Sequence, residues 1–157
     1  MLIGSKVRGL DAVMGLAERL PFADAVFDFV LMVTTLCFLV SPQDSLLEVK
    51  RVLRDHGMVA VCIIPRESSC GKLYVEKARK WHEIYAVPCF YSVNEVKALL
   101  RECGFRPDRM CSVLEYGPGD APRIEIPRIG RGSGGFVYIR AFRSRRSPIS
   151  NSLTPNG

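Results

Sequence analysis

The chain has 157 residues, of which 48% are hydrophobic and 24% are charged, and its formal net charge is +6. This length and composition exclude a wholly disordered chain and favour one domain with its own core. The apolar run Phe29–Val40 is shorter than the roughly 20 residues of a membrane helix, and the first residues do not resemble a secretory signal. We therefore expect a cytoplasmic protein without a membrane span.

Short apolar runs alternate with amphipathic stretches along the chain, which is the pattern of an α/β sheet with crossover helices. The near-continuous apolar runs are typical of strands that are covered on both faces. The predicted strands are Ala12–Met14, Phe27–Val33, Met58–Ile64, Met110–Tyr116 and Gly135–Arg140. Residues 117–135, rich in glycine and proline, are predicted to form a loop.

Three helices are predicted between these strands. The first begins at the N-cap Ser41 and ends at His56–Gly57. The second covers Leu73–Tyr85. The third begins at the capping box Ser92–Glu95 and ends at Cys103–Gly104.

Six cysteines stand at irregular spacing, and none forms a C-x-x-C pair. A zinc site requires closely spaced ligand pairs, and the chain has only two histidines. We therefore expect no metal, and we expect reduced thiols that pack as small hydrophobic side chains. The cysteines are Cys37, Cys62, Cys70, Cys89, Cys103 and Cys111.

Arginines crowd the end of the chain, which divides it into a predicted domain at residues 1–143 and a basic tail at residues 144–157. The tail lacks apolar periodicity, so we expect it to be disordered. A basic tail can hold a polyanion. Because no aromatic side chains are interleaved with these arginines, we do not expect nucleic acid as a partner.

Three groups of residues form recognisable motifs. Gly15–Phe22, followed by Phe27–Leu31, is similar to G-D-A-E-x-L-P-F and F-D-x-V. Glu48–Gly57 is similar to E-x-x-R-V-L-x-x-G-G, and Phe90–Ser92 with Gly104–Phe105 is similar to F-Y-S … G-F. In this order and spacing they resemble the class I S-adenosylmethionine-dependent methyltransferases, especially the ubiquinone and menaquinone biosynthesis type. The resemblance covers most of the chain and implies S-adenosyl-L-methionine as cofactor and a small-molecule substrate.

Two elements of that family are absent from the sequence: the glycine-rich G-x-G-x-G motif and the acidic residue that ends the second strand. We therefore expect an α/β, Rossmann-like class I methyltransferase fold that lacks its first βαβ unit. In the family's sheet order 3-2-1-4-5-7-6, strands 4, 5, 7 and 6 would remain. Phe27–Val33 would then present an open edge, where self-association or a protein partner is expected.

The resemblance places the adenine pocket of the cofactor at Gly15, Leu16, Ala17 and Glu18. A strand-to-loop turn without a ligand is the alternative interpretation. Leu16 stands where the family has an aspartate that accepts a hydrogen bond from the adenine amino group. Leucine cannot accept it, and an unpaired amino group costs about 1–3 kcal/mol of affinity.

The resemblance also implies that Met32, Val33 and Leu36 line the cofactor and substrate cleft, at the carboxyl edge where α/β sheets bind ligands. Core packing is the alternative for these three residues. The hydroxyls of Thr34 and Thr35 could face the substrate or cap the following turn.

No catalytic dyad is expected, because the sulfonium methyl group is already activated and the enzyme mainly aligns the acceptor and excludes water. His82 could act as a base, or it could lie on a helix surface. Tyr85, Phe90 and Tyr91 stand where family members build a substrate lid.

The sequence leaves two functions open. The chain could be a methyltransferase that is active when the absent segment is supplied. It could instead be a non-catalytic remnant, or half of a split protein, that acts through a protein partner.

Overall fold

The computed structural model describes residues 9, 11–80 and 89–144, and the sheet runs through the centre of this part. A helix follows each of the first two strands, as the sequence predicts, and the last three strands follow the last helix. The strands are β1 (Phe27–Val33), β2 (Leu53–Ile63), β3 (Phe105–Val113), β4 (Arg128–Ile129) and β5 (Phe136–Arg143). The helices are α1 (Pro42–Val52), α2 (Ser69–Lys80) and α3 (Val93–Glu102), with a 3₁₀ turn at Leu36–Phe38.

The sheet order is β1-β2-β5-β3-β4. This confirms the α/β methyltransferase sheet, with the predicted order 4-5-7-6 and one short strand added at its end. β1 is parallel to β2, whereas β5 is antiparallel to both β2 and β3. Strands β1, β2 and β3 therefore point the same way, and their C-terminal ends share one side of the sheet, called here the carboxyl edge.

One face of the sheet is covered by α1 and α3. Both helices are amphipathic, and their buried stripes face inward, with Leu46 and Val49 on α1 and Val96 and Leu100 on α3. The hydrophobic effect makes this layer the main source of stability. The sheet side of the core contains Met32, Leu53, Val59, Val61, Ile63, Phe105, Val137, Ile139 and Ala141.

The opposite face is open at β1. Phe29, Leu31 and Val33 alternate along the strand and are 46%, 53% and 49% exposed. Within the described residues β1 pairs only with β2, so its outer edge is free in this part of the chain. The predicted open edge is therefore present.

Some predicted elements differ from the structure. Ala12–Met14 forms no strand, and its side chains at Val13 and Met14 are 58% and 82% exposed. A three-residue segment without a neighbouring strand has no ladder to join. α1 ends at Val52, before the predicted end at His56–Gly57, and β2 begins at Leu53, before the predicted start at Met58. Residues 54–56, which are exposed, are therefore part of the strand.

The remaining differences concern element ends. β3 begins at Phe105 and ends at Val113, and the predicted loop 117–135 contains the short β4. α2 begins earlier than predicted, because the hydroxyl of Ser68 accepts from the backbone N–H of Gly71 at 3.0 Å.

His82 and Tyr85 lie outside the described residues, as does the tail from residue 145. No helix among the described residues is long and apolar enough to cross a membrane.

Candidate cofactor and acceptor site

The carboxyl edge begins where β1 ends at Thr34. Its backbone N–H donates to the Cys62 carbonyl at 2.9 Å, which continues the ladder by one step. Its φ of 50° lies in the left-handed region, which is strained for a β-branched residue. This turn directs the chain out of the sheet and into the 3₁₀ turn.

A small apolar pocket lies at this edge. Its volume is about 20 Å³, which is room for roughly one water molecule. The ends of β1 and β2 form one side, and the segment before α3 forms the other. The lining residues are Thr34, Leu36, Cys37, Ile63, Ile64, Phe90 and Tyr91.

The polar groups of the pocket are held in their neutral forms. Burial raises the pKa of the Tyr91 hydroxyl, and the neighbouring Cys89 raises it further. Burial also raises the pKa of the Cys37 thiol, whose sulfur lies 3.2 Å from the Thr34 carbonyl oxygen. Phe90 stacks on Tyr74 with ring centroids 6.1 Å apart. The pocket therefore offers the neutral hydroxyl of Tyr91 and the neutral thiol of Cys37 in an otherwise apolar wall.

The predicted adenine loop is a tight turn. The backbone N–H of Arg19 donates to the Leu16 carbonyl at 3.1 Å. A Cβ atom on Gly15 would stand 2.7 Å from Cδ of Pro21, so only glycine fits there without a shift. The Leu16 side chain is 70% exposed and is available to a ligand.

Glu18 connects this turn to the carboxyl edge. Its Oε1 accepts from the backbone N–H of Ser41 at 3.4 Å, and Ser41 is the N-cap of α1. Because α1 begins on the side where β1 ends, the contact holds the turn at the same edge as the pocket. Ala17 lies within this turn.

Two side chains of α1, Glu48 and Arg51, hold residues 20–24, which follow the turn. We call this pair the Glu48–Arg51 clamp. All five guanidinium N–H groups of Arg51 are used: they bond to both carboxylate oxygens of Glu48, to Asp24, and to the carbonyls of Leu20 and Phe22. Oε2 of Glu48 also accepts from the Leu20 backbone N–H at 2.9 Å. The Arg51 hydrogen bonds lower the pKa of Glu48 and, reciprocally, raise that of Arg51. The clamp thus pins the segment along α1.

The three residues predicted to line the cleft separate in the structure. Leu36 lines the pocket and is 1% exposed. Met32 packs in the core beneath the helices, and Val33 points to the open face. Sequence reasoning missed Cys37 and the pair at the end of β2, Ile63–Ile64. The position of that pair at the C-terminal end of a buried strand was the signal that could have identified it.

A carboxylate also stands beyond the end of β3. Glu115 accepts from the hydroxyls of Ser112 and Ser133, each at 3.3 Å, and pairs with Arg128 of β4. These contacts give it a structural role in holding β4. The described residues contain no group of three or more side chains that could hold a metal ion.

Comparison with known proteins places this arrangement in a family. A family model described as a methyltransferase domain matches residues 3–61. An uncharacterized protein of Methanocaldococcus jannaschii is 37% identical over 134 residues, which are 85% of this chain and 64% of that protein. The malonyl-[acyl-carrier protein] O-methyltransferase of Geobacter sulfurreducens is 31% identical over 83% of this chain and 51% of its own length. The chain thus spans between half and two thirds of these relatives.

Solved structures agree. A Thermotoga maritima S-adenosylmethionine-dependent methyltransferase, described as a possible histamine N-methyltransferase, matches with a TM-score of 0.85 and 36% identity. The match covers 92% of this chain and 69% of that one. A methyltransferase solved with the Haloferax volcanii Trm112 activator shares the fold, with a TM-score of 0.67 and 16% identity over 93% of this chain and 68% of that one. On this likeness and on its sheet order, the chain belongs to the class I S-adenosylmethionine-dependent methyltransferases.

Proposed function

We propose that this chain provides the adenine pocket and the acceptor side of a methyltransferase that uses S-adenosyl-L-methionine and a small-molecule substrate. One observation carries the proposal: the contact between Glu18 and Ser41 brings the turn at residues 15–18 to the edge that holds the apolar pocket. Cofactor and acceptor would then meet at the carboxyl edge, where open α/β sheets bind ligands.

The residues of the turn fit the adenine end of the cofactor. Leu16 is largely exposed and offers an apolar surface to the ring. Glu18 and the clamp hold the turn in place, so little ordering entropy would be lost on binding. The glycine-rich motif that approaches the methionine end in the family is absent from the 157 residues, and we assign no residue to that end.

The cofactor, when bound, supplies an activated methyl group, and the chain's own residues must orient the acceptor and exclude water. Leu36, Ile63 and Phe90 wall the pocket with apolar surface. The neutral hydroxyl of Tyr91 can donate a hydrogen bond that fixes the orientation of a small polar acceptor. Relatives named as O-methyltransferases support an acceptor that is nucleophilic at a polar atom.

Calorimetric titration with S-adenosylmethionine tests the proposal. We expect Leu16→Asp to bind the cofactor roughly 5- to 150-fold more tightly than the unmodified chain, because it restores an acceptor worth about 1–3 kcal/mol. The matched control is Val13→Asp, at another exposed apolar position outside the turn, which should leave the affinity unchanged. Equal affinity of the two variants, both folded by circular dichroism, would refute the adenine pocket.

A second candidate function, binding of a protein partner through β1, is favoured by the exposed side chains Phe29, Leu31 and Val33 beside its free edge. Light scattering of the unmodified chain and of Leu31→Lys tests self-association. A dimer that Leu31→Lys dissociates supports self-association through β1, and a monomer at all concentrations contradicts self-association. We also propose a cytoplasmic location, because six free thiols fit a reducing compartment.

A further inference from the structure

Two cysteines that are far apart in sequence meet at the rim of the pocket. The backbone N–H of Cys89 donates to the Cys37 carbonyl at 2.8 Å. With the covalent distances inside each residue, this contact holds the two Cα atoms at most about 6.7 Å apart. Disulfides join Cα atoms that are about 4.4–6.8 Å apart, so the Cα atoms of the two cysteines are close enough for the bridge.

The side chains of the two cysteines also share one environment. Burial raises the pKa of the Cys37 thiol, and a nearby charge on Cys89 raises it further. Burial raises the pKa of the Tyr91 hydroxyl, and charge on either thiol raises that pKa further. Cys89 is exposed and Cys37 is half-buried, so one thiol faces the solvent and the other faces the pocket.

Among the described residues, no other backbone hydrogen bond outside the helices and strands joins two cysteines. Cys62 on β2 and Cys111 on β3 are both in register with Tyr138 on the strand between them. Two strands that flank a third strand lie about 9.5 Å apart, and this separation is beyond the reach of a disulfide. Cys103 is the buried C-cap of α3, and its sulfur lies 3.7 Å from the Gln43 carbonyl oxygen.

We propose that Cys37 and Cys89 form a reversible disulfide that locks the carboxyl-edge pocket closed when a low-molecular-weight disulfide, such as glutathione disulfide, oxidises the pair. The exposed Cys89 thiolate attacks the reagent, forms a mixed disulfide and expels one thiolate. The Cys37 thiol gives its proton to that thiolate, attacks the Cys89 sulfur and expels the second thiolate. The protein loses two electrons, and the reagent is reduced to two thiols.

The bridge would join the two walls of the pocket. Cys37 lies in the 3₁₀ turn after β1 together with Leu36, and Cys89 directly precedes Phe90 and Tyr91. The pocket has room for roughly one water molecule, so a substrate can enter only if these walls separate. That consequence rests on the proposed function, whereas formation of the disulfide does not.

Equilibration in glutathione redox buffers, followed by acid quenching, alkylation and peptide mass mapping, tests the bridge. We expect a peptide that links residues 37 and 89 in the unmodified chain and in the control Cys111→Ser. Cys37→Ser and Cys89→Ser should give only mixed disulfides with glutathione. The equilibrium constant should be about tenfold or more higher in buffer than in concentrated urea, because the fold holds the partners together. A different pairing, or equal constants, would overturn the proposal.

Hydrogen exchange measures the closing step without methyltransferase activity. The backbone N–H of Arg66 donates to the Tyr91 carbonyl at 3.1 Å, so its exchange rate reports separation of the pocket walls. We expect the rate to fall on oxidation of the unmodified chain and to stay unchanged in Cys89→Ser. An unchanged rate in a chain that does carry the bridge would contradict the closing step. Cofactor titration of the reduced chain tests the proposed function separately.

Discussion

Removing the carboxylate of Glu48 should release the segment that leads from the candidate adenine turn to β1. In Glu48→Ala the Leu20 N–H loses its acceptor, and Arg51 loses the partner of its Nε and of one Nη. The Glu48 side chain is 19% exposed, so water can replace these contacts only in part. The matched control is Gln43→Ala, at an exposed position on the same helix.

The structure sets the size of the effect. Three hydrogen bonds at a net 0.5–1.5 kcal/mol each give a range of about 1.5–4.5 kcal/mol. Since the freed donors of Arg51 can turn to solvent and its other contacts remain, we expect Glu48→Ala to lower the free energy of unfolding by about 2–3 kcal/mol. Gln43→Ala should stay within about 0.5 kcal/mol of the unmodified chain.

Urea unfolding followed by circular dichroism measures the stability, and hydrogen exchange at the Leu20 amide reports the local release. Exchange should be slow in the unmodified chain and fast in Glu48→Ala. If both variants unfold at the same urea concentration and the Leu20 amide stays protected, then the clamp does not hold this segment and the argument fails.

Three further predictions concern pH and local structure. The hydrogen bonds from Arg51 lower the folded pKa of Glu48 from 4.5. The stabilisation by Glu48 is therefore complete above pH 4.5 and is lost as the pH falls through the folded pKa. The stability difference between the unmodified chain and Glu48→Gln should shrink below pH 4.5, and a constant difference would contradict this argument. Ser92→Ala removes the N-cap of α3 and should cost about 1 kcal/mol in urea unfolding, against no measurable change for Ser144→Ala. Gly104 has φ of 78°, so Gly104→Ala should destabilise by about 1–2 kcal/mol, whereas Gly119→Ala, at an open position without positive φ, should be neutral or slightly stabilising.

Local patterns predicted most of the fold. The N-cap at Ser41 and the capping box of Ser92 with Glu95 are present, with hydrogen bonds of 3.3 Å for the first and 2.6 Å and 3.1 Å for the second. These devices act within four residues, so the sequence displays them directly. The order of the sheet followed from the family resemblance, because strand order depends on contacts between distant segments. The division into a domain at residues 1–143 and a tail stays a prediction.

The site was less predictable, because side chains from distant segments build it. Periodicity cannot reveal that Cys89 meets Cys37, since that contact depends on how the chain re-enters the carboxyl edge after α2. Hydrophobicity also cannot separate Met32, which is buried under the helices, from its neighbour Val33, which is half-exposed on the open face. The pleat of β1 alone assigns adjacent residues to opposite faces.

The clamp joins two motifs that are separate in the sequence, Gly15–Phe22 and Glu48–Gly57. Glu48 and Arg51 are one helical turn apart on α1, so both side chains face the same segment. That segment carries the turn with Leu16 at one end and enters β1 at the other. The spacing of an acidic and a basic residue on a helix thereby fixes the segment that follows the candidate adenine turn, some 30 residues earlier in the chain. Loss of the clamp should therefore lower the stability and also weaken cofactor binding by Leu16→Asp. If the double variant Leu16→Asp, Glu48→Ala binds the cofactor as tightly as Leu16→Asp does, then Glu18 alone holds the turn in position.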